Sequence, residues 1–413
     1  MQARLRLWLL VICILFHVSI QAVSPTPLLS ETLEVIAREY INPLGLETGA
    51  FAARVQAGVE TKCASGCDSD ASERAIASSL SSVGDVHLKL LPAVIRPGDD
   101  HGGVGDGGHA ARFGVRIVSS QNRLLVSSVQ ADSSAANATL EFGDRIVRVN
   151  ADESPDVMAR VLARAEVERK TVTLTLLNQQ GQRRTVSLAP TSRPWDASLE
   201  LRDDGIAVLR LPSVSASNED DSAVHRLVRQ AMQSSARVLI LDLRDTQGGT
   251  PFATANAAGA FLERVAITLV SKAGVRWSYT FQKGDSRLER SDQPTKPETD
   301  RLEQPALWTG PLVVLVSKRT VSAGENLALL LQRAGRARVI GEATAGGAGV
   351  GANLFKLSSG ANLLLATHLH LTADGQRYPI RVTPDQLEAM DVEALSRGRD
   401  NQLEAALTLL QPK

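Results

Sequence analysis

Pro-Leu-Val-Val-Leu-Val (311–316), Ser-Lys-Arg-Thr (317–320) and Val-Ser-Ala-Gly-Glu-Asn (321–326) run without a break, and Ser322 is the informative residue. The Val-rich run reads as a buried strand. The segment from Ala323 to Gln332 reads as a helix, because Leu327, Leu330 and Leu331 fall at helical spacing. A serine between a buried strand and a helix start lies beside unpaired backbone N–H groups, which point at bound oxyanions. The other reading of the same position is a plain N-cap serine. Working outward, Val-Ile-Gly-Glu-Ala-Thr-Ala-Gly-Gly follows at 339–347, and Val-Leu-Ile-Leu-Asp-Leu-Arg-Asp-Thr-Gln-Gly-Gly precedes at 238–249. The second is again an apolar strand, here ending in paired glycines. Gly248 and Gly249 allow a close backbone approach and a turn that aims an N–H at a developing oxyanion.

From 196 onward strands and helices alternate, the pattern of an α/β core. Strands are expected at 205–211, 237–243, 266–271, 275–281, 311–316 and 337–341. Helices are expected at 221–233, 250–262 and 323–334. The polar stretch 284–306, with three prolines, reads as a surface loop. Ahead of the core, 111–190 carries short alternating strands, and 26–95 has helical spacing (Leu28, Leu29, Leu33, Ile36). Residues 96–110 are a Gly- and Asp-rich linker that cannot build a core. Residues 1–22 read as a signal peptide, with Arg4 and Arg6 before an apolar run too short to span a bilayer comfortably. An uncleaved anchor is the alternative. The mature chain is therefore expected to be exported, periplasmic or secreted, with no membrane contact after cleavage.

The 413 residues carry 45 basic and 45 acidic side chains, and this balance gives no argument for a nucleic-acid partner. Apart from Cys13 in the leader, the only cysteines are Cys63 and Cys67. In an oxidising compartment they are expected to form a disulfide. No further ligands stand near them, so no metal and no cofactor is expected.

The three motifs in this order resemble the tail-specific, or C-terminal processing, serine peptidases and their tricorn and retinoid-binding relatives. The shared pieces are Asp-Leu-Arg-x-x-x-Gly-Gly, Ser-Ala-x-Glu and Gly-Glu-x-Thr-x-Gly. The resemblance covers roughly 195–390. It implies a ClpP/crotonase-like peptidase core over 195–413, with a PDZ-like domain inserted at 111–190. The Gly-Asp-x-Ile-x-x-Val-Asn run at 143–150 is similar to that of PDZ domains. These take a peptide C-terminus by strand addition, and Phe113, Gly114 and Val115 are the expected carboxylate loop. On this resemblance Ser322 is the nucleophile, and the N–H groups of Gly248, Gly249 and Ala323 form the oxyanion hole.

The family lysine falls at Gly347, and no lysine follows until Lys356. The tricorn-like branch instead takes its base from a histidine in the N-terminal region, here His87 in Gly-Asp-Val-His-Leu (84–88). The serine that precedes that histidine in tricorn is Val86 here, and the branch glutamate has no counterpart in 377–385. Asp85 is the nearest group to orient His87. His368 and His370 share a strand face, which fits a solvated face, a metal pair or a base. Glu325 is expected to support the helix start. The expected function is an exported serine endopeptidase acting on peptide or protein tails. The alternative is a degenerate relative that binds peptides or an apolar ligand without cleavage. Oligomeric state is not legible.

Overall fold

The computed structural model describes residues 27–64, 66–91, 111–191, 195–214, 223–372 and 374–410. The expected signal peptide, 1–22, and the expected linker, 96–110, lie outside these residues. The chain opens with three helices, α1 (Pro27–Glu39), α2 (Thr48–Lys62) and α3 (Ser69–Ser81), and a short strand β1 (Lys89–Leu91). The helices bury Leu29, Ile36, Val55, Ile76 and Leu80 in one cluster. Cys63 and Cys67 are disulfide-bonded between α2 and α3, 2.09 Å apart at sulfur.

A five-stranded antiparallel sheet follows: β2 (Val115–Ser120), β3 (Arg123–Val129), β4 (Arg145–Val149), β5 (Val172–Leu177) and β6 (Arg183–Leu188), in that spatial order. Helices α4 (Ser134–Asn137) and α5 (Pro155–Glu168) accompany it. Its core is Phe113, Val115, Ile146, Met158, Leu162 and Leu174. Asp144 is buried, accepts the Glu141 N–H at 3.0 Å and pairs with Arg184, which fixes the turn before β4.

The core begins with β7 (Ser198–Leu201), β8 (Ile206–Arg210), α6 (Ala223–Gln233), β9 (Val238–Asp242) and α7 (Pro251–Gly259). Four strands come next: β10 (Arg264–Ser271), β11 (Arg276–Gln282), β12 (Asp285–Arg290) and β13 (Glu298–Arg301). It ends with β14 (Leu312–Val316), α8 (Ala323–Arg333), β15 (Arg338–Gly341), β16 (Val350–Lys356), β17 (Asn362–Leu371), β18 (Gln386–Leu387), α9 (Val392–Ser396) and α10 (Asn401–Leu410). One sheet has the order β18-β15-β14-β9-β8-β7, parallel except for β7. The other has the order β1-β17-β10-β11-β12-β13, with β16 also on β17.

Two expectations are corrected. The stretch 284–306 is not only loop, since it holds β12 and β13. Within those two strands only Ser286 and Leu288 turn inward, so the polar outer face hid the strand period. The N-terminal region is not wholly helical: β1 pairs antiparallel with β17, Leu90 opposite Leu363. That pairing joins the first helices to the core and brings the preceding turn to the site.

Candidate active site

Ser322 lies between β14 and α8 with φ 55 and ψ −114. A non-glycine residue with positive φ is strained, and such residues cluster at functional sites. The strain is held from both sides. The Val321 N–H bonds the Thr246 carbonyl at 3.1 Å. The Ser322 N–H donates to Oε2 of Glu325 at 2.8 Å. Glu325 is fully buried on the first turn of α8. It accepts the N–H groups of Gly346 (2.9 Å) and Gly347 (2.7 Å) and the Thr344 hydroxyl. One carboxylate thus ties the serine turn to the glycine turn that follows β15. Burial raises its pKa, and these hydrogen bonds offset the rise only in part. Its support extends from the helix start to a second motif, which sequence spacing alone did not reveal.

The paired-glycine turn stands against Ser322. A methyl group on Gly248 (φ +105) would sit 3.2 Å from Cβ of Ser322. The N–H groups of Gly248, Gly249 and Ala323 have no acceptor among the described residues. The Gly248 carbonyl accepts the Val214 N–H at 2.7 Å, which fixes the turn. Arg244 anchors the strand end from behind by forking between Asp242 and Asp400.

His87 comes from the opposite side. Its Nε2 lies 3.1 Å from Oγ of Ser322. It sits in a turn closed by the Leu88 N–H on the Asp85 carbonyl. Asp85 does not orient the ring. Its carboxylate takes the His87 backbone N–H at 2.8 Å and the Tyr40 hydroxyl at 2.6 Å. Nδ1 of His87 is buried without a partner among the described residues. The expectation that Asp85 holds the imidazole is therefore corrected: it holds the turn. Burial lowers the His87 pKa, Asp85 opposes the shift and Lys89 adds to it.

The missing lysine has a spatial counterpart. A methyl group on Gly347 would lie 2.8 Å from Cε1 of His87, 2.7 Å from Cγ2 of Val86 and 3.2 Å from Oε2 of Glu325. The imidazole stands where a side chain at 347 would go, so the two cannot share the site.

His368 and His370 are elsewhere. The ring of His368 meets Trp277 edge-on at 4.3 Å, and its Nδ1 lies 2.8 Å from the Thr367 hydroxyl. His370 stacks on Tyr378 at 3.9 Å and is buried to 1% exposure. Neither is on a solvated face. No cluster of His, Cys, Asp and Glu among the described residues has metal-site geometry. Phe113 and Val115 are buried in the small β domain, and the Gly114 carbonyl accepts the Gln130 N–H at 2.8 Å. Val115 begins β2, one of the two edge strands of that sheet. A cavity of about 780 Å³ lies between that domain and the carboxyl ends of β8, β9 and β14. Ser127, Trp195, Asp242 and Lys318 line it, but neither Ser322 nor His87 does. The chemistry is better located by the serine–histidine approach than by cavity size.

A crossover core, an inserted five-stranded domain and a serine at a strained strand-to-helix turn define a serine-peptidase scaffold. Residues 205–387 match the model of peptidase family S41, and residues 106–177 match that of the PDZ domain. The chain belongs to the tail-specific protease family with a PDZ domain.

A carboxyl-terminal-processing protease of Synechocystis is 27% identical over 311 residues, 72% of this chain and 67% of that protein. The chloroplastic carboxyl-terminal-processing peptidase 1 of Arabidopsis thaliana is 26% identical over 260 residues, 60% of this chain and 49% of that protein. The matched stretch spans between about half and two thirds of the length of these curated relatives. Among solved structures, mature CPAF superposes with a TM-score of 0.53 at 13% identity, covering 93% of this chain and 97% of that one. A Bacteroides fragilis protein assigned to the S41 proteases gives 0.56 at 16% identity, covering 92% and 96%. At these identities the structures speak to the fold.

Proposed function

We propose that this chain is an exported serine endopeptidase that cleaves peptide or protein substrates at their C-terminal tails, with a serine–histidine pair in place of serine–lysine. The observation that carries it is the 3.1 Å approach of His87 Nε2 to Ser322 Oγ across two separately built parts of the fold. Ser322 attacks the scissile carbonyl, and neutral His87 takes its proton. The N–H groups of Ala323 and of Gly248 or Gly249 receive the oxyanion. His87 then gives its proton to the leaving amine, and a water hydrolyses the acyl-enzyme by the same path. Asp85, Tyr40 and Glu325 act by holding turns. The base is taken to come from the N-terminal region as in the tricorn-like branch, without that branch's serine or glutamate. The PDZ domain is the proposed receiver of the substrate tail, at the start of β2. Export rests on the leader-like composition of residues 1–22. Among the described residues no helix is long and apolar enough to cross a membrane.

A fluorophosphonate probe on the folded protein tests this. Wild type is expected to label at Ser322. Ser322→Ala should not label, and His87→Gln should label about 10²–10⁴ times more slowly. Folded wild type that does not label would return the chain to a non-cleaving peptide binder.

A further inference from the structure

The segment 378–382 runs beside the glycine turn and is pinned to it at three points. The Ala348 N–H donates to the Ile380 carbonyl at 3.0 Å, and the Val382 N–H to the Thr344 hydroxyl at 2.9 Å. The Thr344 N–H returns to the Val382 carbonyl at 3.3 Å. Between the anchored residues Ile380 and Val382 stands Arg381, an exposed residue. Its guanidinium lies against the turn. A methyl group on Gly346 would be 3.0 Å from Nη2 and 3.7 Å from Cζ, and Nη2 reaches the Ala345 carbonyl at 3.3 Å. Gly346 has φ +105, so the bare backbone that lets the guanidinium lie there also suits glycine.

Arg381 has no carboxylate within 4.0 Å among the described residues, and its one described hydrogen bond is to the Ala345 carbonyl. It is also close to the chemistry. Gly346 precedes Gly347, whose side-chain direction meets the His87 ring. Tracing that path bounds the distance from Nη2 to Ser322 Oγ at about 17 Å, or roughly five residues of extended peptide. The acidic groups nearest the site are already occupied: Asp85 by Tyr40 and its own turn, and Glu325 by four donors.

We propose that Arg381 is a specificity residue that receives a carboxylate of the bound peptide within about five residues of the scissile bond. The carboxylate is either the free chain end or an acidic side chain. This rests on the peptidase reading above. A planar guanidinium held against backbone is suited to bidentate carboxylate recognition, and a charge-assisted hydrogen bond of this kind corresponds to about 10- to 100-fold in affinity.

The test uses decapeptides with four randomised C-terminal positions, prepared as free acid and as amide, with Asp/Glu either included in or excluded from the mixture. Binding to the Ser322→Ala protein is measured by fluorescence anisotropy, with and without Arg381→Gln, and wild-type hydrolysis is measured in parallel. The acid-to-amide preference, or the preference for Asp/Glu mixtures, should fall about 10-fold or more in the Arg381→Gln background. Which one falls identifies the carboxylate. Arg381→Lys should restore part of it. Any carboxylate preference contributed by the PDZ domain survives in both backgrounds and cancels in the comparison. Equal losses on every mixture, or unchanged preferences, would overturn the proposal. If wild type hydrolyses no mixture while the Arg381-dependent preference is present in binding, the peptidase reading fails and the carboxylate site stands.

Discussion

The two halves of the site are built on opposite principles. The serine half, 311–347, is nearly continuous in sequence. It is a strand, a strained turn, a helix, a second strand and a glycine turn, all fastened by Glu325 three residues after the serine. The histidine half is a five-residue turn, 84–88, held by Asp85 and Tyr40 and delivered by a three-residue strand on β17. One half carries its geometry locally. The other borrows it from residues more than 270 positions away, since β1 spans Lys89–Leu91 and its partners are Asn362–Leu364. Local construction tolerates change elsewhere in the molecule, whereas borrowed construction depends on the docking surface.

The largest test of that contrast is Gly347→Lys, which puts the family residue into the space of the imidazole. With contacts of 2.7–2.8 Å already at Cβ, His87 and Val86 must move. Probe labelling should fall about 100-fold or more, the scale of losing a general base. Gly347→Ala should fall less. Retained labelling in Gly347→Lys would mean that the histidine half is not needed.

Tyr40→Phe probes the borrowed half more gently. It removes one hydrogen bond to the buried Asp85, a loss of about 1.5–3 kcal/mol in stability by chemical denaturation. Labelling should slow several-fold as the turn loosens, while the serine half stays intact. A stability loss with no change in labelling would show that Asp85 supports the fold without positioning His87.

The smallest expected effect is a displaced pH limb. In the proposed mechanism His87 must be neutral to accept the serine proton, so activity should be lost as pH falls through its pKa. Burial holds that value below the ordinary histidine value, with Lys89 acting the same way and Asp85 opposing. The acid limb of kcat/KM should therefore lie below about 6.5. A limb at or above that value would point to another base.

The motifs of the serine half were legible because each is a local pattern: an apolar run, paired glycines, a serine at a helix start. The PDZ domain was legible because short alternating strands and the Gly-Asp turn are local too. The strands β12 and β13 were missed because a mostly solvent-facing ribbon shows almost no apolar period. The place of the two histidines on β17 was missed because it depends on Trp277, from a distant strand, and on a chain reversal that lays Tyr378 over His370.

What the sequence determined by itself was the peptidase scaffold, the serine, the glycine turns, and a histidine worth naming at 87. Only the tertiary structure decided that this histidine reaches the serine, and that its ring stands where the side chain of a lysine at 347 would go. It also decided that Asp85 holds a turn in place of the ring, that Glu325 joins two motifs, and that Arg381 lies along the glycine turn. The reason is physical. Turns and amphipathic periods are set by residues within a few positions of each other. A contact at 3.1 Å between residues 235 apart is set by the packing of an entire helical cluster on β16 and β17.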